Sequence, residues 1–195
     1  MILGITGGTG CGKTTLLELL RQQGAMVLDC DRIYHELLMK DPTLTESIEE
    51  RFPGVVRKGV LDRKALGKQV FSDPEALEDL NAITHAAVKA EVMRRLEEKP
   101  ELAAIDAIGL FEGGLGELCH ITVAVTAPMG ARVKRLMARD GIGEDYARSR
   151  IEAQKPESWY RQRCDYVLEN DGDIDAFATK CLAFFMQTGI MKEKP

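Results

Sequence analysis

The amino-acid sequence predicts an α/β fold in which a five-stranded parallel sheet carries helices on both faces. Two observations support this prediction. Short apolar runs alternate along the chain with longer segments of helical periodicity, an order typical of parallel βαβ units. In addition, a glycine-rich loop joins the first apolar run, residues 1–5, directly to a helix expected at residues 14–22.

The loop after the first strand fits the spacing G-x-x-x-x-G-K-[ST] from Gly7 to Thr14. Glycines let such a loop turn its backbone N–H groups inward around a polyphosphate, and the following helix adds the positive end of its dipole. Lys13 is then placed to reach the β- and γ-phosphates, and the Thr14 hydroxyl to ligate Mg²⁺. The alternative is a glycine-rich turn that merely precedes a helix. The spacing G-x-G-x-x-G is absent from this loop, which argues against a nicotinamide or flavin site.

The composition is that of an ordinary globular chain. Its 195 residues are 45% hydrophobic and 29% charged, which suits one domain with an inserted subdomain. The net charge of −5, without a long basic run, argues against a nucleic-acid surface. No charged leader or long apolar segment is visible, so we expect neither a signal peptide nor a membrane span. The five cysteines are odd in number and lack C-x-x-C, which predicts reduced thiols and a cytoplasmic protein.

A second short strand is expected at residues 25–28, followed by Asp29-Cys30-Asp31. Alternate side chains of an extended segment share a face, so we expect the two carboxylates to point the same way. Ligands bind beyond the carboxyl ends of strands in open α/β sheets, which favours acid–base or metal chemistry for this pair. The alternative is that Asp31 caps the helix that follows it. The residues alone leave both interpretations open.

Residues 32–101 are predicted to be mostly helical, with breaks at Pro42 and Pro53. Asp62 is expected to cap a helix start within the sequence VLDRKAL, and Asp73, directly before a proline, to cap the next helix. This helical stretch is longer than a crossover between two strands requires. We therefore expect it to form a subdomain that carries the second substrate.

Three further strands are predicted at residues 102–106, 120–125 and 165–168, the first of them again ending in a carboxylate. A closing helix is expected at residues 174–187. Residues 191–195 are expected to form a frayed tail.

A helix predicted at residues 128–139 carries Arg132, Arg135 and Arg139 at spacings of three and four, so these side chains share one face. Such a stripe usually marks a solvated surface. Here a glycine-containing turn and a second charged helix follow, which suggests a mobile lid that closes on ATP. Arginine guanidinium groups can fork onto phosphate oxygens and neutralise the charge that spreads over them during transfer.

Together, these ordered motifs resemble those of the dephospho-coenzyme A kinase family over essentially the whole chain. A phosphate loop alone is shared by many enzymes, whereas the ordered set is far more specific. The matching segments are the loop at residues 7–14, the D-x-D at Asp29-Cys30-Asp31, residues 61–66 with Val70 and Phe71, residues 80–85, residues 110–112 after Asp106, residues 135–140, and Gln154 with Asp165, Val167, Asn170 and Gly172.

The resemblance implies that the chain transfers the γ-phosphoryl group of ATP to the ribose 3′-hydroxyl of dephospho-CoA, the last step of coenzyme A biosynthesis. It implies that Asp31 is the catalytic base, that Lys13 holds the β- and γ-phosphates, and that Arg139 contacts ATP and stabilises the transferring group. Thr14 and Asp31 are the implied Mg²⁺ ligands. The other expected ATP contacts are Gly8, Gly10, Cys11, Gly12, Thr14, Thr15 and Asn170. The expected contacts with dephospho-CoA are Asp29, Arg63, Asn81, His85, Asp106 and Glu112.

The resemblance also bears on the partners of the chain and on its division into parts. We expect a single domain, active as a monomer on a small-molecule substrate, with no nucleic-acid or membrane partner. The alternatives are a P-loop kinase of another nucleoside or nucleoside monophosphate, and a regulator that binds ATP without transferring phosphate. The expected parts are a core of residues 1–31, 102–139 and 164–190, a substrate-binding insert at about 32–101, and a lid at about 140–163.

Two positions depart from the family pattern, and one invites a separate hypothesis. Ala86 stands where the family usually has proline, and Ile108-Gly109 where it usually has Pro-Leu; both bear on the acceptor pocket. Cys11 stands near a helix N-terminus, where thiols tend to have a lowered pKa, which predicts a reactive thiol that ATP would protect. The alternative is a small loop residue of no special reactivity.

Overall fold

The five-stranded parallel sheet predicted from the sequence is confirmed, with strand order β2-β5-β1-β6-β7. The computed structural model describes residues 1–191; most of the predicted frayed tail, residues 192–195, lies outside the described residues. The strands are β1 Ile2–Thr6, β2 Met26–Asp29, β3 Val56–Arg57, β4 Val60–Leu61, β5 Ala103–Asp106, β6 Ile121–Thr126 and β7 Tyr166–Glu169. The helices are α1 Lys13–Gln22, α2 Cys30–Lys40, α3 Pro42–Arg51, α4 Arg63–Val70, α5 Pro74–Leu96, α6 Met129–Asp140, α7 Glu144–Glu152, α8 Glu157–Arg163 and α9 Ile174–Gln187.

The central strand β1 is buried on both faces, which explains why it is a continuous apolar run rather than an alternating one. On one face α1 and α9 pack against it, with Leu16 and Phe185 fully buried. On the other face α2 and α5 cover the sheet through Ile33 and Val92. Each such side chain contributes roughly 1.5–3 kcal/mol through burial, so the sheet is a rigid platform for the loops at its carboxyl edge.

The carboxyl ends of three neighbouring strands bring the predicted polar residues to one edge of the sheet. Strand β1 lies between β5 and β6, so the chain leaves its end at the point where the strand order reverses. The glycine loop starts there. Asp29 of β2 lies directly opposite Asp106 of β5 in the parallel register, and Ile5 of β1 pairs with the same Asp106.

The helical insert has an apolar cluster of its own, formed by α3, α4 and the first turns of α5 around Ile48 and Phe52. The predicted caps are confirmed, since Asp62 accepts hydrogen bonds at the start of α4 and Asp73 at the start of α5. The two residues before Asp62 form β4, a strand that was not predicted. Lys58 and Gly59 both adopt positive φ, the geometry of a tight hairpin turn, and pair this segment with β3.

The predicted helix–turn–helix after β6 is confirmed as α6 and α7, which pack through Val133, Leu136, Ala147 and Ile151. Gly141 ends α6 in the left-handed conformation with φ of 65°. The short helix α8, between α7 and β7, was not predicted. In the part of the chain that the structure describes, none of the helices combines the length and apolar composition needed to cross a bilayer.

Candidate active site

A cleft of about 880 Å³ opens at the carboxyl edge of the sheet. Loop residues 8–14 line it on one side. Asp106 lines it from the end of β5 and Asp31 from the first turn of α2, and Arg139 and Arg150 line it from the lid helices. The structure therefore brings together most of the predicted ATP contacts and the predicted base in one cavity.

The glycine loop has the conformation that binding a polyphosphate requires. Gly10 and Gly12 have φ of 76° and 94°, values that residues with a Cβ rarely adopt. Helix α1 follows, and in the described part of the chain no side chain caps its N-terminus, so its first N–H groups can donate to an anion. Lys13 Nζ donates to the Gly7 carbonyl oxygen at 2.9 Å, and Thr14 is exposed at the cleft. We conclude that the first N–H groups of α1 are available to an anion in the cleft, whereas Lys13 Nζ and the N–H groups of Thr9 and Cys11 have protein acceptors.

The outward-facing side of the same loop is held by side chains from distant parts of the chain. Arg135 donates to the carbonyl oxygens of Gly10 and Cys11 at 3.2 and 3.3 Å. Asn170, only 5% exposed, donates to the Cys11 carbonyl oxygen at 2.9 Å and accepts from Arg135. A Cβ on Gly12 would lie 2.2 Å from Asn170 Nδ2. Asn170, expected to contact ATP, thus lies behind the loop and contacts its backbone.

Thr15, also expected to contact ATP, does not line the cleft, and its N–H donates to the Gly12 carbonyl oxygen within the first turn of α1. The usual interpretation of the arginine stripe as a solvated face is wrong for Arg132 and Arg135. Both donate to backbone oxygens of the phosphate loop. Arg135 also lines the cleft, as does Arg139 one turn further along α6.

Arg139 and Arg150, one from each lid helix, bind the same carboxylate, that of Asp140. Sequence analysis identified only Arg139 as a site residue. Its guanidinium donates to both carboxylate oxygens of Asp140, at 2.6 and 3.0 Å, and Arg150 of α7 donates to the same carboxylate at 2.7 Å. The Arg139 hydrogen bond, aided by Arg150, lowers the pKa of Asp140 to about 2. Arg150 was missed as a site residue, although its place on the charged second lid helix was a usable signal. The two arginines share the single negative charge of Asp140, so the three side chains together carry a net positive charge at the cleft.

The two carboxylates after β2 are arranged differently from the prediction. Helix α2 begins at Cys30, so Asp31 lies in its first turn rather than in an extended segment. Asp29 is the cap, accepting from the Arg32 N–H at 3.0 Å, and the alternative in which Asp31 caps the helix is wrong. The shared face expected for the pair is wrong for the same reason. Asp31 therefore does not cap the helix and is exposed at the cleft.

Asp106 is the most perturbed carboxylate of the cleft. Burial raises its pKa to about 6; Lys13 opposes the shift, and Asp29 and Asp31 add to it. Among the described residues its buried Oδ1 has no hydrogen-bond partner. An unpaired buried oxygen of this kind is costly, which indicates a site that a bound group completes.

A second pocket of about 270 Å³ adjoins the cleft, between α2, α5 and the segment after β5. Asn81 and His85 line it from α5, together with apolar side chains such as Val88. Two residues, Asp31 and Ile108, line both cavities. The predicted base thus stands at the passage between the phosphate loop and a mainly apolar pocket.

The segment after β5 leaves room for the His85 ring. A Cβ on Gly109 would lie 3.7 Å from His85 Nε2, and one on Gly113 would lie 3.6 Å from its Cγ. Glu112 lies beside the same position, with Oε2 4.0 Å from the place of a Gly109 Cβ. Of the two departures from the family pattern, Gly109 lines this pocket, whereas Ala86 lines a separate groove between α3 and α5.

Arg63, another predicted substrate contact, is exposed at the start of α4, and its Nη2 lies 3.0 Å from His35 Nδ1. Its charge partly offsets the burial that raises the pKa of Tyr34, a residue that lines the second pocket. Arg63 is therefore at the edge of the pocket rather than inside it. The pairing also gives His35 a partner that sequence analysis did not identify.

The prediction of a reactive Cys11 is wrong. Its side chain is 3% exposed and packs in the core cluster under the loop. This burial raises the pKa of the thiol despite the nearby charges of Arg132 and Lys13. The alternative, a small loop residue without special reactivity, describes it correctly.

Trp159 of α8 packs against the segment after β5. Its ring meets Phe111 edge-on with centroids 5.6 Å apart, and the Arg163 guanidinium lies 4.3 Å from its centroid. Tyr160 packs against it at 5.1 Å. The segment carrying Glu112 is thus in contact with the segment that follows α7.

Comparison with known proteins gives a consistent family. The dephospho-CoA kinase family model matches residues 1–176. The chain is 40% identical over 182 residues to the dephospho-CoA kinase of Moorella thermoacetica, covering 90% of this chain and 86% of that protein. It is 39% identical over 176 residues to that of Thermus thermophilus, covering 90% and 85%.

Solved structures agree with this result. TT1252 from Thermus thermophilus superposes with a TM-score of 0.82 at 37% identity, covering 96% of this chain and 97% of that one. A shikimate kinase from Acinetobacter baumannii shares the fold, with a TM-score of 0.54 at 17% identity over 97% of this chain and 95% of that one.

Proposed function

Since the chain belongs to the dephospho-CoA kinase family, we propose that its two adjoining cavities bind ATP and dephospho-CoA on either side of Asp31. The reaction is transfer of the γ-phosphoryl group of ATP to the ribose 3′-hydroxyl of dephospho-CoA, the last step of coenzyme A biosynthesis. One observation supports the assignment of roles above all others. Asp31 lines both cavities and is free of a capping role.

Asp31 accepts the proton of the 3′-hydroxyl, or orients that hydroxyl, as its oxygen attacks the γ-phosphorus. The bond from phosphorus to the β,γ-bridging oxygen breaks, and ADP leaves. Lys13 and the uncapped N–H groups of α1 hold the β- and γ-phosphates throughout. Arg139 neutralises the charge that spreads over the transferring group, and Arg150 assists it from α7.

The residues of the cleft fit Mg²⁺. Thr14 and Asp31 would hold it, with Asp106 through water, and the unpartnered Asp106 Oδ1 is the observation that favours this set. The described residues include no cluster of three or more His, Cys, Asp or Glu side chains able to hold a metal by themselves. This agrees with an ion that takes most of its ligands from phosphate and water. Held by these residues, Mg²⁺ would supply positive charge that offsets the charge of the transferring phosphates.

Asn81 and His85 bind the acceptor inside the second pocket, since both line it. Arg63, exposed at the pocket edge, contacts the anionic part of the acceptor that extends beyond it. Asp29 acts on the acceptor through α2, whose first turn it caps and on which Asp31 lies. Glu112 borders the pocket beside Gly109.

The same proposal includes the division of the chain into a core, an insert at about 32–101 and a lid at about 140–163. The separate apolar cluster of the insert, around Ile48 and Phe52, supports that division. We further propose a monomer in the cytoplasm. The five free cysteines support a reducing compartment.

A coupled assay of ADP release tests the proposal with dephospho-CoA and with a panel of nucleosides and nucleoside monophosphates. Turnover confined to dephospho-CoA is the expected result. Asp31→Asn should lower kcat about 10²- to 10⁴-fold with little change in the KM for ATP. Turnover of Asp31→Asn close to that of the wild type would show that the base has been assigned wrongly.

A further inference from the structure

Both backbone polar groups of Thr9, at the tip of the phosphate loop, are bound by side chains from the lid side of the molecule. The Thr9 N–H donates to Gln154 Oε1 at 2.8 Å, across 145 residues of sequence. The Thr9 carbonyl oxygen accepts from Arg132 Nε at 2.9 Å, across 123 residues. Arg132 Nη2 in turn donates to the same Gln154 Oε1 at 3.0 Å. These three groups form a closed hydrogen-bonded unit, which we call the tip clamp.

The glycines beside Thr9 are shaped to this clamp. A Cβ on Gly8 would lie 2.3 Å from Arg132 Nη2 and 2.9 Å from Gln154 Oε1. A Cβ on Gly10 would lie 2.9 Å from the Arg132 carbonyl oxygen. The absence of side chains at these two positions is therefore explained by the approach of Arg132 and Gln154 as well as by the phosphates.

The clamp occupies the Thr9 N–H, so that donor is directed at Gln154 rather than at a phosphate. Gln154 follows α7 in the chain and Arg132 lies on α6, so the clamp joins both lid helices to the loop. Its members are half-buried, which limits competition from water. Arg139 and Arg150 lie on the same two helices and reach the cleft.

We propose that Arg132 and Gln154 are positioning residues, which set the loop tip relative to the lid so that the γ-phosphate lies in line with the arginines that stabilise its transfer. The inference rests on the proposed kinase function. It assigns to Gln154 an acceptor role toward Thr9 and Arg132, and no role for its amide N–H₂ toward the nucleotide. Losing the clamp misplaces the transferring group and lowers kcat more than it weakens ATP binding.

Two substitutions of Gln154 separate this role from direct contact with ATP. Gln154→Glu keeps an oxygen that accepts from both Thr9 and Arg132 but removes the amide donor, whereas Gln154→Met removes both. We expect Gln154→Met to lower kcat about tenfold, with KM for dephospho-CoA within about twofold of the wild type. Gln154→Glu should stay within about threefold of the wild-type kcat. Gln187→Met, at an exposed position of α9, is the matched control.

Arg132→Met should lower kcat to a similar extent, and the double variant with Gln154→Met should lose little more than either alone, because the groups act as a unit. Thermal unfolding midpoints show whether any loss reflects misfolding, and the Glu variant gives a second, acceptor-preserving test. Equal losses in Gln154→Glu and Gln154→Met, or no loss in Gln154→Met, would overturn the proposal. The wild-type assay with dephospho-CoA tests the underlying function separately, so the two failures are distinguishable.

Discussion

The phosphate cleft is lined by a loop whose backbone is already held in place, whereas the acceptor pocket is lined mainly by apolar side chains with few fixed polar groups. Arg132, Arg135 and Asn170 all bind carbonyl oxygens of the phosphate loop. Among residues 1–191, the side chains of Asn81 and His85 make no hydrogen bond. The first region is preorganised to stabilise charge, so substitutions there should change mainly kcat. The second region gains polar partners only from the substrate, so substitutions there should change mainly KM.

Among the substitutions that compare the two regions, removal of the loop lysine should give the largest effect. Lys13→Met removes the cation nearest the transferred phosphate, and we expect kcat to fall about 10²- to 10³-fold. Lys134→Met, an exposed lysine of α6, is the matched control and should stay near the wild type. Steady-state assays with ATP and dephospho-CoA measure both. A loss confined to the KM for dephospho-CoA would contradict the division between the regions.

Arg139 tests whether the lid belongs to the charge-stabilising region. Arg139→Ala should lower kcat by more than tenfold, because the guanidinium acts mainly in the transition state. Arg148→Ala is the control, since Arg148 pairs with Glu144 on the exposed side of α7. If Arg139→Ala changed KM for ATP alone, Arg139 would be a ground-state binding residue instead.

The acceptor pocket should respond in KM. Asn81→Ala removes an amide that has no partner among residues 1–191, so the loss should fall on the bound substrate alone. We expect KM for dephospho-CoA to rise about tenfold, with kcat and the KM for ATP almost unchanged. Gln69→Ala, at an exposed position of α4, serves as the matched control. A fall in kcat matching that of Arg139→Ala would remove the distinction between the two regions.

The smallest effect concerns stability of the ligand-free protein. The pKa of Asp106 is raised to about 6, so the folded chain keeps its proton in a pH range where the unfolded chain has lost it. Folding stability should therefore decrease as pH rises from about 4 to about 6. Asp106→Asn should be more stable than the wild type at pH 7.5 by about 1 kcal/mol, raising Tm by roughly 2–4 °C, and show no gain at pH 4.

Thermal unfolding at both pH values, with the exposed Asp145→Asn as control, measures this difference. An equal gain at both values would mean that ionisation of Asp106 does not cost stability. The measurement also bears on the comparison, because Asp106 is the one cleft carboxylate with an unpaired buried oxygen among the described residues.

Much of the fold could be predicted because its signals are local. Apolar runs marked the strands, the glycine spacing marked the phosphate loop, and aspartates before helices marked two caps correctly. The hairpin of β3 and β4 was missed because each strand has only two residues, too few for a periodicity.

The site was predictable in its residues but less so in their roles. Whether Asp29 or Asp31 caps α2 depends on a two-residue difference in where α2 begins, which the pairing of β2 with β5 through Asp29 decides. The helical spacing of Arg132 and Arg135 is the same for a solvated face as for one bound to the loop. Their partners lie more than a hundred residues away in sequence, so no local pattern reveals them.

The aromatic contact of α8 with the segment after β5 gives the enzyme an internal optical signal. Trp159 is the sole indole of the chain, and it touches Phe111 on one side and the Arg163 cation on the other. Its emission is sensitive to both neighbours, so movement of either segment changes the fluorescence of the unlabelled protein. Rapid mixing with ATP alone or with dephospho-CoA alone then shows, from the change in Trp159 fluorescence, which substrate moves α8 relative to the segment after β5.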